Sequence, residues 1–413
     1  NRPDGTLVGS GYFEPMKIPT IPYQLKRLPR FSICLAAATL APLAVQAQAI
    51  WTGEESDVYM SGGNWSTGTP PTSLDEVLID NSDLNPAVHA SGNLERFANT
   101  TISGTGQLAI NSGRFINGNS TFTVSGGSFT HTGEYFLVGH TGVGHFVQSG
   151  GTVTTNHSRG FFLSNNESAE SGSSYTLSGG TLIVNSTAGN PPPEWWLRSV
   201  WFGKGSGGAS PLVGDKFHAT GGTAIFTRTG TNEAGVMISR NSKIQVSGTA
   251  EVTFADYSHF YVGYNNAGTT GNEIIVDGGT LTISGETNLD VGFEDSGKLT
   301  ISAGVFSLEG YLIIGGSGEG LVTMTGGLAS LGGITHNSGT FDFSGGILKI
   351  EGDYSSIVDE SWFNTAGAPE GVSVEFDPVS NITTIVAVPE PATFLLAAAG
   401  LAVVTVFKRR RHS

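Results

Sequence analysis

Between Thr101 and Glu351, short apolar runs alternate with glycine-rich polar ones, and one phrase returns about every 27 residues. It reads "VSGGSFT" at 124–130, "QSGGTVTT" at 148–155, "LSGGTLIV" at 177–184 and "VDGGTLTI" at 276–283, down to a weaker copy, "FSGGILKI", at 343–350. Nine copies can be aligned on their first glycine-type position, from 126 to 345. A second phrase precedes many of them: "FLVGH" at 136–140, "FFLSN" at 161–165, "VWFGK" at 200–204, "FYVGY" at 260–264, "LDVGF" at 289–293 and "LIIGG" at 312–316. "TLIVN" and "TLTIS" alternate with period two, the mark of a half-buried strand. One repeat therefore reads as a short strand ending in Gly or Ser, a variable polar loop, a second strand, Gly-Gly, and a third strand.

A unit of three such strands cannot bury its apolar face alone, but stacked on its neighbours it forms a continuous core. The paired glycines suit a tight corner where a Cβ would clash or φ must be positive. The prediction is an all-β chain: a single-stranded parallel β-helix (a solenoid) of about nine repeats, with Val, Ile, Leu and Phe inside. At about 4.8 Å per turn it forms a rod of roughly 45 Å. A Greek-key or sandwich array is the competing architecture. Residues 50–100 read as an N-terminal cap, with Trp51 and Trp65 sealing the first turn, 101–351 as the repeats and 352–388 as a C-terminal cap and linker.

The two ends follow a different pattern. Residues 1–15 read as upstream or unstructured, and 16–49 as a signal peptide. Its basic start holds Lys17, Lys26, Arg27 and Arg30, and its apolar helix is "FSICLAAATLAPLAV". Small residues at Ala47 and Ala49 place cleavage before Ile50. Residues 389–413 hold Pro389-Glu390-Pro391, an apolar helix from Ala392 to Phe407, and the basic cluster Lys408, Arg409, Arg410 and Arg411. Sixteen helical residues span about 24 Å, short for a membrane crossing. The basic cluster should remain cytoplasmic.

Composition sharpens this picture. Glycine supplies 60 of 413 residues, and charged residues only 13%. Between Ile50 and Val388 there are 11 basic and 32 acidic residues, a net of −21, which disfavours nucleic acid and anionic membrane surfaces as partners. The one cysteine, Cys34, lies in the signal segment, so the exported body is held by packing and backbone pairing without disulfides.

The C-terminal pattern resembles the PEP-CTERM sorting signal of exopolysaccharide-producing bacteria. Pro389, Glu390 and Pro391 match its motif, and Arg409 to Arg411 its basic end. The resemblance implies a membrane partner, an exosortase-type enzyme that recognises the motif and removes the helix. It also implies transient residence in the cytoplasmic membrane before release to the cell surface or extracellular matrix. The repeat phrase is similar to the autotransporter-associated β-strand repeat of bacterial surface proteins.

Chemistry is sparse. No His-Glu-x-x-His pattern, cysteine pair or nucleophile elbow occurs, and no metal or cofactor is expected. Asp256, Asp277, Asp290, Glu294 and Asp295 are the candidates for the paired carboxylates of a polysaccharide lyase or glycosidase. The insertion "NPPPEWWLRSVWFGKG" at 190–205 brings Trp195, Trp196 and Trp201 together as a possible platform for sugar rings. The expectation is a non-catalytic, surface-sorted protein with a structural or adhesive role, exopolysaccharide or cell-surface glycans being possible partners. A carbohydrate-binding protein and a polysaccharide-cleaving enzyme are the alternatives.

Overall fold

In the computed structural model, the residues described are 48–388 apart from 97, 112, 141, 166–171, 188–199, 205–213, 231–232, 265–267 and 369–370. The expected terminal helices lie outside them. The described chain is all β apart from two single-turn 3-10 segments, Gly62–Asn64 and Ile357–Asp359. It winds into a parallel β-solenoid of about 11 turns. The fold class read from the sequence is therefore the observed one.

Three parallel faces build each turn, except that the last turn, Gly339–Glu351, has strands on two of them only. Face A stacks Val77–Ile79, Thr100–Ile102, Thr121–Val124, His145–Gln148 and Ser174–Leu177 in register, and continues to Gly339–Glu351. Face B begins at Ala87–His89 and Gln107–Ile110 and carries the residues after each Gly-Gly. Face C carries the second phrase, as in Val200–Lys204 paired with Gly235–Ile238. The order within a repeat is C, loop, A, Gly-Gly, B. The two turns beyond the nine counted copies are the first two. Their A-to-B corners, at 80–86 and 103–106, lack the Gly-Gly phrase.

The Gly-Gly corner has a steric cause. Gly180 adopts φ +79°, and a Cβ there would lie 2.4 Å from the carbonyl oxygen of Gly151 one turn below. Only glycine enters that conformation without strain while letting successive corners stack so closely.

The interior is filled by alternate residues of all three faces. In the first seven turns aromatic rings stack from turn to turn: Phe136 on Phe161 at 5.0 Å, Phe146 on Tyr175 at 4.7 Å, and Phe226 on Phe254 at 4.5 Å. These spacings match the roughly 4.8 Å between neighbouring strands. In the second half the columns are mostly aliphatic, such as Ile274, Leu299 and Val322.

Both open ends are closed, as exposed core and unpaired edges require. Trp65 meets Trp51 and Tyr59 edge to face over the first turn, 5.0 Å from each ring. At the far end the hairpin Val372–Asp377 and Ile382–Ala387 adds antiparallel strands to Gly339–Glu351, and Ile385 is fully buried.

Candidate functional site

Face C departs from inside-out alternation. Its inward residues, such as Phe136, Phe161 and Phe202, join the main core. Its outward residues over six consecutive turns are also apolar: Ile116, Leu137, Phe162, Trp201, Met237 and Tyr261 stack in register, none more than 8% exposed. The next outward residue in the same column is Asp290.

Around Tyr261 this ladder becomes an aromatic cluster. The ring of Phe293 lies 3.9 Å from that of Tyr261, and Tyr264 stacks 5.7 Å from Tyr261 and 6.0 Å from Phe293. His259 stacks on Tyr261 at 5.4 Å. Trp201 meets Tyr264 edge-on at 5.4 Å and donates its indole N–H to Ser239 Oγ at 2.8 Å. Tyr264 and Phe293 are half-buried.

Carboxylates edge the cluster. Burial pushes Asp290 up to about 6. Tyr261 is pushed up to about 12, chiefly by burial and then by the negative charges of Asp290, Glu233 and Glu294 with Tyr264 beside them. At the opposite end of the ladder, Tyr135 lies under two guanidinium groups, Arg114 at 5.1 Å and Arg159 at 5.7 Å. Glu134 links them, 3.4 Å from Arg114 and 3.6 Å from Arg159. Aromatic faces with hydrogen-bonding carboxylates at their edge suit a polyhydroxylated ring better than a charged or wholly apolar ligand.

Of the tryptophans singled out in the sequence, Trp201 belongs to this ladder, 5% exposed, while Trp195 and Trp196 lie outside the described residues. Pro389, Glu390, Pro391 and the cluster Lys408 to Arg411 also lie outside them, as does Ala47. Ala49 and Ile50 form the first strand, Ala49–Ile50, paired in parallel with Val77–Ile79. Ala49 is 1% exposed, and its N–H donates to the Glu76 carbonyl at 2.8 Å.

The candidate acids are spread over the turn. Asp277 ends a face A strand and accepts from Ser302 Oγ at 2.8 Å. Asp256 occupies a left-handed corner at φ +62°. Asp295 is buried in the corner between faces C and A, accepting from Gly268 N at 2.9 Å and Thr269 Oγ1 at 3.1 Å. Asp290 and Glu294 both flank Tyr261. Among the described residues no group of three His, Cys, Asp or Glu side chains is placed to hold a metal ion, and no helix is long and apolar enough to cross a membrane.

The outer ladder was missed in the sequence although it left a trace. The second residue of that five-residue phrase, Leu137, Phe162, Trp201 and Tyr261, is apolar where alternation asks for a polar one.

No curated protein and no solved structure matches the chain. Residues 387–411 match the PEP-CTERM protein-sorting motif, a signal that marks export and membrane-associated sorting toward the cell surface.

Proposed function

We propose that this chain is a non-catalytic rod of the cell envelope or exopolysaccharide matrix, with structural or adhesive work. The observation that carries the reading is the join between a closed solenoid and a sorting motif: the last strand among the described residues ends at Ala387, where the motif begins. The partner is an exosortase-type membrane enzyme that recognises Pro389-Glu390-Pro391 and releases the body from its apolar segment. The signal peptide at 16–49 and the likeness of the repeats to autotransporter-associated strands support the same route. Three of the five candidate acids, Asp256, Asp277 and Asp295, sit apart at separate corners and a strand end, which supports a body without catalysis. Fractionation of native cells with intact mass of the recovered protein tests this. A product ending near residue 390 in the surface fraction is expected. A full-length C-terminus held in the cytoplasmic membrane would overturn it.

A second reading is favoured by one observation, the half-buried, stacked Tyr264 and Phe293 beside Asp290 and Glu294. Here Tyr264 and Phe293 contact a neutral or weakly charged glycan, with the buried ladder residue Trp201 backing Tyr264. Binding on a glycan array should be lost in Tyr264→Ala and Phe293→Ala while both variants stay folded.

A further inference from the structure

Face B carries a second uniform surface. From Ser128–Val138 to the second half of Asn272–Ser284, six turns are in register, and each presents three outward positions. These 18 positions hold 10 Thr, 2 Ser, 2 Asn, 2 Ile, Ala255 and Glu251. Not one of them is buried. A single charge in this array contrasts with the net of −21 between Ile50 and Val388. Face A, by comparison, displays Lys243, Glu273 and Lys298 in one outward column.

The threonines are also chemically idle. Among the described residues, none of the ten hydroxyls is hydrogen-bonded within the protein, whereas on face A Thr300 donates to Glu273 at 2.9 Å. Each threonine thus offers water one free hydroxyl and one methyl. The array repeats about every 4.8 Å along the axis and, two residues apart along each strand, about every 6.6 Å across it. It covers roughly 24 Å by 13 Å on a backbone fixed by parallel pairing above and below.

We propose that this face binds ice. A grid fixed by parallel pairing, in which ten of 18 positions carry both a methyl and a hydroxyl, holds its first water layer in a lattice rather than in the radial shells that charges impose. Its two repeats lie close to those of oxygen rows in ice. Hydroxyls without internal partners anchor that layer, and methyls restrict the orientations of the water between them. The face has no aromatic or arginine anchor of the kind that carries protein–protein interfaces. It has no ring on which a sugar could stack; that chemistry sits on face C. The inference goes beyond the envelope role proposed above and does not depend on it.

The test uses the full chain in mild detergent, with detergent alone as the blank, and reads ice recrystallisation and the shape of single ice crystals. The wild type should suppress recrystallisation and facet the crystals. Thr154→Lys with Thr253→Lys, in the central column, should lose both effects at an unchanged melting temperature. Thr323→Lys, outward on face A, should keep them. A wild type indistinguishable from the blank overturns the proposal, as does a folded double variant with undiminished activity. So does light scattering that shows a dimer broken by the double variant without any effect on ice, since face B would then be an interface between copies.

Discussion

His157 Nε2 lies 3.1 Å from Ser186 Oγ one turn away, and the same hydroxyl lies 3.1 Å from the hydroxyl of Tyr257. This polar string runs inside the solenoid, and His131 lies beside it, 3.1 Å from Thr155 Oγ1 through Nδ1. Burial lowers His131 to about 4, and burial with the neighbouring His131 lowers His157 to about 3. Both folded values lie below the unfolded 6.5, so the unfolded chain binds more protons in acid. Stability should be complete above about pH 6.5 and fall toward pH 4, by up to about 1.4 kcal/mol per pH unit for each histidine. Chemical denaturation at a series of pH values checks this. In His131→Gln with His157→Gln the slope between pH 6.5 and 4 should flatten.

The glycine corner predicts a large effect from a small change. Gly180→Ala forces an L-residue into φ +79° and sets its Cβ against the carbonyl of Gly151. The expected loss is roughly 2 kcal/mol or more, read as a lowered denaturation midpoint. Gly268→Ala, at φ +67° with open space around it, should lose only the conformational part.

Gln148 occupies a core column and is satisfied there. Tyr175 donates its hydroxyl to Gln148 Oε1 at 2.6 Å, and Gln148 Nε2 donates to the Thr181 carbonyl at 2.9 Å. Tyr175→Phe leaves a buried acceptor alone and should cost about 1–3 kcal/mol. Gln148→Leu in the same background should recover much of it, a coupling that a double-mutant cycle measures.

On face A, Glu273 sits between Lys243 at 2.8 Å and Lys298 at 3.3 Å. Burial raises its carboxyl, but hydrogen bonds from Lys243 and Thr300 and the two lysine charges outweigh this and lower it. Its contribution is present above the ordinary carboxylate range and fades as the pH falls through it. Because the lysines are about 40% exposed, Glu273→Gln should cost no more than about 1 kcal/mol, and less in high salt.

Ala49 predicts a difference between two possible N-termini. A body beginning at Ile50 lacks the buried methyl and the hydrogen bond to Glu76, and it places an ammonium group where Ile50 N donates to Ser66 Oγ at 3.0 Å. Its melting temperature should be lower than that of a body beginning at Gln48.

The repeat was legible because its constraints are local. A second glycine at positive φ and strands such as Thr181–Ser186 with strict alternation reveal themselves without knowledge of their neighbours. The first two turns were not, since Val77–Ile79 and Thr100–Ile102 stack like the others but their corners use different residues. The aromatic site was hidden for another reason. Tyr261 and Phe293 are 32 positions apart in the chain, and only the stacking of turns brings their rings to 3.9 Å. The interior histidines look like loop polar residues in "FTHTGEYF" and "TTNHSRGFF" until the B face turns them inward.

The closing hairpin has a mechanical consequence. Ile382–Ala387 is the strand that leads directly to the sorting segment, and it is hydrogen-bonded on both sides, to Gly339–Glu351 and to Val372–Asp377. While the apolar segment remains attached, tension on it enters the body through this doubly held strand. A load directed along the strand acts on two ladders in shear together, rather than on one. The rod is gripped at its tether by the same residues that finish its core.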